Sequence, residues 1–134
     1  MNRYKSLEEQ LEAVKENGIN IGYIKNPSEK VQIEAVKECG LSLEHIDDPS
    51  EKVQLEAVKK NGFAIQFINN PSLEVQLEAV KENGWAIRYI KNPCLELQLE
   101  AYKQIPNIIN FIKNPHPELK LLIEIEKLKW NTKH

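Results

Sequence analysis

Few residues of this 134-residue chain are of a type that does chemistry, and their spacing decides what chemistry is open to them. The histidines are His45, His116 and His134, and the cysteines are Cys39 and Cys94. His116 stands between two prolines at a helix start and His134 is the last residue, so neither is placed for a site. His45, with Cys39 nearby, is the one pair that could serve as a catalytic or ligand group. Where His45 stands, other parts of the chain carry Tyr23, Phe67, Tyr89 and Phe111, so it reads as a partly buried ring replacement. Cys39 replaces an Asn and Cys94 a Ser, both small substitutes. Glu34, Glu56 and Glu78 stand three residues before Lys37, Lys59 and Lys81, the spacing of a solvated ion-pair face. Paired carboxylates for acid–base work need burial that such a face does not offer. There is no GxGxxG, P-loop, GxSxG or HExxH. The expectation is a non-enzyme with no catalytic residue, no metal site and no cofactor.

The elements that would position such residues are bounded by composition. Hydrophobic residues at 41% and charged residues at 28% are the balance of a folded domain and argue against disorder. No apolar run is long enough to cross a bilayer, and the first residues, MNRYKSLEEQLEAV, lack an apolar signal core. Together with two cysteines in no metal-ligand spacing, this predicts a cytoplasmic protein without membrane contact. A net charge of −2 lacks the basic excess of a nucleic-acid binder.

Internal repetition decides the fold. Prolines stand at Pro27, Pro49, Pro71, Pro93 and Pro115, 22 residues apart each time. Aligning on them gives units 5–26, 27–48, 49–70, 71–92 and 93–114 and a shorter end, 115–134. Units three and four read PSEKVQLEAVKKNGFAIQFINN and PSLEVQLEAVKENGWAIRYIKN. Before each proline stands Asn26, Asp48, Asn70, Asn92 or Asn114, a good N-cap that would put the proline at the first helical position. Glu29 and Glu51 would then complete capping boxes. A helix of about twelve residues would run to Asn17-Gly18, Cys39-Gly40, Asn61-Gly62 and Asn83-Gly84, where glycine would end it in the left-handed conformation. A second segment such as FAIQFI is too short to stand alone and is predicted as one α or 3₁₀ turn held by packing.

At about 100° per residue, Val53, Leu55, Ala57 and Val58 form an apolar arc with Gln54 at its centre. Gln10, Gln32, Gln76 and Gln98 repeat the pattern, and a buried amide needs partners. The reading is a ladder of side-chain to backbone bonds between adjacent units. So wide an arc needs a neighbour on each side, which predicts an all-α solenoid of five helix-turn-short-helix repeats plus a C-terminal capping helix. Glu9, standing where later units have valine or leucine, suits the exposed first edge. The fifth unit has Ile105-Pro106 in place of Asn-Gly, so a local distortion is expected there. In the last helix Leu122 and Ile125 replace Glu and Lys, and Lys120 takes the glutamine position, turning the apolar face. Either this helix seals the core, or it presents Leu122, Ile125 and Trp130 to a partner or a second copy in a homodimer.

Units of the form D/N-P-S-x-x-V-Q-L-E-A-V-K-x-N-G-x-A-I-x-x-I resemble the leucine-rich-repeat variant family, which pairs an α-helix with a 3₁₀ helix, and more distantly HEAT and armadillo repeats. Similar short units occur in proteins of phages, giant viruses and low-GC bacteria. The resemblance covers essentially the whole chain and implies a two-layer solenoid; such repeats recur as binding scaffolds with unrelated partners.

Comparison of the units with one another points to the surface. The positions that vary lie in the short segment: Ile19, Leu41, Phe63, Trp85 and Asn107; then Gly22, Glu44, Gln66, Arg88 and Asn110; then Lys25, Asp47, Asn69, Lys91 and Lys113. The predicted partner-binding residues are Glu44, Gln66, Trp85, Arg88, Lys91 and Asn110, with the short-helix layer lining a concave side. Unit two is locally acidic, at net −4, which favours a partner with a basic patch. The expected function is therefore a protein-interaction scaffold. One concrete version, resting on the resemblance and on 16 Lys against 2 Arg, is a phage-encoded inhibitor of a host defence complex of the nuclease type. A self-associating structural subunit is the alternative, argued by the last helix.

Overall fold

The structure, a computed structural model, describes residues 3–134. It is all-helical. Five α-helices of equal length alternate with five 3₁₀ helices, and a longer α-helix follows. The α-helices are α1 (Leu7–Glu16), α2 (Glu29–Glu38), α3 (Glu51–Lys60), α4 (Leu73–Glu82), α5 (Leu95–Gln104) and α6 (Pro117–Lys133). The 3₁₀ helices are η1 (Gly18–Tyr23), η2 (Gly40–His45), η3 (Gly62–Phe67), η4 (Gly84–Tyr89) and the shorter η5 (Ile108–Phe111). Each α-helix packs on the next, and η1 to η4 do the same, so the α-helices form one layer and the 3₁₀ helices the other in a solenoid-like stack. Val53, Ala57, Val58 and Ile65, with their equivalents, are buried between the layers. Each such valine contributes about 1.5–3 kcal/mol by leaving water.

The helix starts differ from the expectation. Ser28, Ser50 and Ser72 are the N-caps, their hydroxyls accepting from the backbone N–H of Val31, Val53 and Val75. The proline therefore precedes the cap instead of opening the helix. The Asn or Asp before it adopts the left-handed conformation, with φ of 52° at Asn26, 47° at Asp48, 52° at Asn70 and 51° at Asn92. Asn and Asp tolerate that region best among residues with a side chain, which explains their recurrence there. Glu29 and Glu51 become the first helical residues, and their capping boxes do not form. Instead each carboxylate reaches into the next unit, accepting from the Ser50 and Ser72 hydroxyls at 2.9 Å.

The glycines also serve another purpose than expected, for none has positive φ. The residue before Gly18, Gly40, Gly62 and Gly84 ends the α-helix in extended conformation and starts the 3₁₀ helix; Asn61, for example, donates its N–H to Ala57 and accepts from Phe63 N–H through Oδ1. Glycine is needed because the next unit comes so close. A Cβ on Gly40 would lie 2.5 Å from the Ala57 carbonyl oxygen, and Gly18 and Gly62 press equally on the carbonyls of Ala35 and Ala79. The helix-terminal side chain of the following unit caps this joint: Gly62 N–H donates to Glu82 and Gly84 N–H to Gln104, at 2.5 and 2.7 Å.

The glutamine ladder exists, but mostly within units. Gln32, Gln54, Gln76 and Gln98 donate through Nε2 to the carbonyls of Pro27, Pro49, Pro71 and Pro93 at 2.9–3.0 Å, and Gln10 to Tyr4. Only Gln98 joins neighbours, its Oε1 accepting from His116 N–H at 2.8 Å. The predicted ion-pair columns do not close either. Among the described residues the one ion pair is Lys127–Glu124 at 3.6 Å, in α6.

At the ends, Glu9 is exposed, as expected, and Pro106 delays the fifth 3₁₀ helix, which begins only at Ile108. In α6 the beginning keeps the common register: Leu119 is fully buried, where Val53 stands in unit three, and Ile123 packs on the core. The expected rotation of its apolar face is thus confined to its second half. Leu122 is half-buried, whereas Leu121, Ile125, Leu128 and Trp130 are exposed.

Candidate functional site

A 3₁₀ helix has three residues per turn, so residues three apart stand directly above one another. In unit three the column Gly62, Ile65 faces the core and the column Phe63, Gln66, continued by Asn69, faces out. The equivalent outward columns are Ile19-Gly22-Lys25, Leu41-Glu44-Asp47, Trp85-Arg88-Lys91 and Asn107-Asn110-Lys113. These are the positions at which the units differ. All are exposed except Phe63 and Trp85, which are half-buried. Glu44, Gln66, Arg88 and Asn110 thus hold one equivalent place in successive units, with Lys91 and Trp85 at the two ends of the Arg88 column.

Beside this column runs a second one that closes each 3₁₀ helix with a ring: Tyr23, His45, Phe67, Tyr89 and Phe111. His45 is exposed, contrary to the expectation of partial burial, as are Tyr23, Tyr89 and Phe111, whereas Phe67 is half-buried. Two of these rings meet the first residue of the preceding unit's outward column. Phe63 and Tyr89 stand edge-to-face with centroids 5.8 Å apart, and Trp85 and Phe111 at 4.9 Å. Such pairs contribute about 0.5–1.5 kcal/mol beyond burial. Tyr89 and Phe111 are still about half exposed, at 51% and 47%, so a ridge of ring edges faces solvent.

Both arginines of the chain lie on this ring column. The Arg88 guanidinium sits 6.0 Å from the Trp85 ring and 5.6 Å from the Phe111 ring, and that of Arg3 sits 4.8 Å from Tyr23. Arg3 and Phe111 were not among the expected site residues; the signal available was that only two arginines exist and that a ring recurs every 22 residues. Between η4 and η5 opens a cleft of about 740 Å³, bordered by Arg88, Lys91, Phe111, Lys113 and His116, with no Asp or Glu among the described residues lining it. One unit back lies its counterpart of about 710 Å³, with Gln66, Asn69, Tyr89 and Lys91 at the equivalent places.

The remaining chemistry is structural. Cys39 and Cys94 occupy capping positions but their side chains make no capping bond, and both are free thiols. No group of three or more His, Cys, Asp or Glu among the described residues could hold a metal ion. The Tyr102 hydroxyl donates to the Glu126 carboxylate across α5 and α6, and that bond, with desolvation and the carboxylate charge, raises it above the ordinary tyrosine value. At the C-terminal end, the Trp130 ring stacks on His134 at 3.7 Å, and Ile125 is exposed beside Leu121 and Leu128.

Fold and surface together define an all-helical, solenoid-like repeat chain with one variable, ring-bearing face. A family model described as a domain of unknown function, DUF4116, matches residues 50–93, close to the span of units three and four. No curated protein and no solved structure matches the chain. No helix among the described residues is long and apolar enough to cross a membrane.

Proposed function

We propose that this chain is a non-catalytic scaffold that binds a partner protein on its 3₁₀ face, and that it works in the cytoplasm. The observation that supports this reading is the coincidence of three properties on one surface. The residues that differ between near-identical units are the outward column, that column is exposed apart from the half-buried Phe63 and Trp85, and aromatic rings flank it, with Arg88 within it. Tyr, Trp and Arg are the residue types that dominate binding energy when a partner covers them. Two unpaired thiols suit a reducing compartment. The test is capture of a partner by wild type, by Glu44→Ala/Arg88→Ala, by Trp85→Ala, and by Leu122→Glu/Ile125→Glu. A partner retained by the helix variant and lost by the face variants, with Trp85→Ala weakening it by about 2 kcal/mol or more, is the expected result. Capture indifferent to the face variants would remove the reading.

The exposed row Leu121, Ile125, Leu128 favours a second reading, self-association through α6. Sedimentation over a range of concentrations tests it: a dimer abolished by Ile125→Glu/Leu128→Glu supports it, and a monomer throughout removes it.

A further inference from the structure

The clefts between successive 3₁₀ helices are copies of one another, so their differences can be read as a code. Each residue bordering the cleft before η4 has its counterpart 22 positions later in the cleft before η5: Gln66 and Arg88, Asn69 and Lys91, Tyr89 and Phe111, Lys91 and Lys113. Geometry is held constant while charge changes. The outward column is acidic in unit two (Glu44, Asp47), neutral in unit three (Gln66, Asn69) and basic in unit four (Arg88, Lys91), and Lys113 extends the basic end. Neighbouring units lie about 10 Å apart, which is also about the Debye length at moderate salt, so charges two units apart act on separate parts of a ligand.

Resting on the scaffold reading, we infer that the cleft between η4 and η5 takes the acidic end of an extended peptide segment, and that the graded column fixes the segment's direction, with carboxylates at Arg88, Lys91 and Lys113 and Lys or Arg at Glu44 and Asp47. The basic end is ready for carboxylates. None of its three cations forms an ion pair within the described residues, and the Arg88 guanidinium rests on two rings that hold its position while its N–H groups stay available. Two unit steps span about 20 Å, which an extended segment crosses in about six residues. A nucleic acid fits less well, because a continuous polyanion leaving the cleft along the same line meets Glu44, Asp47 and Asp48.

Fluorescence anisotropy with labelled synthetic probes tests the charge order. The first probe is a peptide of about a dozen residues with a Glu-rich block containing one Phe, a short Gly-Ser spacer and a Lys-rich block. The second has the same residues with the charges alternating, and the third is an oligo-dT of similar length. Wild type is expected to bind the block peptide about tenfold more tightly than the alternating one, and Arg88→Glu/Lys113→Glu to erase the difference. Glu44→Lys/Asp47→Lys, which makes the whole face basic, should lose the preference and gain oligo-dT binding that salt abolishes. Equal binding of the two peptides, tighter binding of oligo-dT by wild type, or binding of no probe would each overturn the charge order. The peptide comparison needs wild type alone, so a variant that fails to fold does not decide it. Partner capture that still depends on Trp85 would then leave the scaffold reading standing, whereas capture independent of Trp85 would remove both.

Discussion

The α layer and the 3₁₀ layer run side by side through the same units, yet one repeats its residues and the other does not. Along the α layer the same valine, glutamine and alanine return in each of units two to four, because every one of them is fixed by a neighbour. The alanine carbonyl lies against the preceding unit's glycine, the valines fill the interlayer core, and the glutamine satisfies the proline carbonyl. Along the 3₁₀ layer only the inward column is held this way. Its outward column, from which Phe63, Trp85 and Arg88 reach a ring of the next unit, lies outside the glycine–carbonyl contact, so residues there can differ without disturbing the joint. The array is thus built on one side and diversified on the other.

The sharpest way to break that division is to crowd the joint. Gly62→Ala, which drives a Cβ into the Ala79 carbonyl, should cost about 3 kcal/mol in chemical denaturation. A cost below about 0.5 kcal/mol would mean that the units can separate without loss. Next in size, Gln76→Ala strips the Pro71 carbonyl of its partner and should cost about 1–2 kcal/mol. The reverse sign is expected at Ser42, whose fully buried hydroxyl has no partner where units three and four carry Ala64 and Ala86. Ser42→Ala should stabilise by about 1 kcal/mol, read from the denaturation midpoint.

The last step of the α layer depends on pH. Because the Tyr102 hydroxyl is raised by its bond to Glu126, its contribution is complete below the ordinary tyrosine value and is lost as pH rises through the raised one. Tyr102→Phe should therefore match wild type more closely as the solution becomes alkaline, and a constant gap in thermal midpoint would contradict the assignment. Smallest of all, Gln66→Ala and Lys91→Ala should change stability by less than about 0.5 kcal/mol, which isothermal denaturation can check.

Proline spacing and apolar periodicity were enough to foresee the helix-turn-short-helix unit and the all-helical stack, because both follow from short-range rules. The errors lie where two residues could play one part. Asn26 and Ser28 are both good caps flanking Pro27, and only the backbone reveals that the asparagine takes positive φ while the serine caps. Gly62 could have served a left-handed turn; its reason is a contact with a helix 17 residues further on, which no local rule contains. The Glu29–Ser50 bond likewise spans two units, although the chain marks it: where Leu73 replaces the glutamate, the following cap is Cys94 instead of serine. At the candidate surface the variable positions could be read from the sequence, but not that they form a single 3₁₀ column, nor that His45 is exposed. The division of α6 into a sealing start and an exposed end depends on how far it outruns α5, at 17 residues against 10.

The joint between units has a consequence for inheritance. Unit three offers a serine, an alanine carbonyl and an apolar face at the edge toward unit two, and a glutamate, a glycine and another apolar face at the edge toward unit four. A tandem duplication of the segment encoding residues 49–70 would deliver both edges at once, so the inserted copy would find matching partners before and after it. Gain or loss of whole units is then the mutation this architecture absorbs most readily. Each copy also brings a fresh outward column, free to diverge while its parent keeps its original residues.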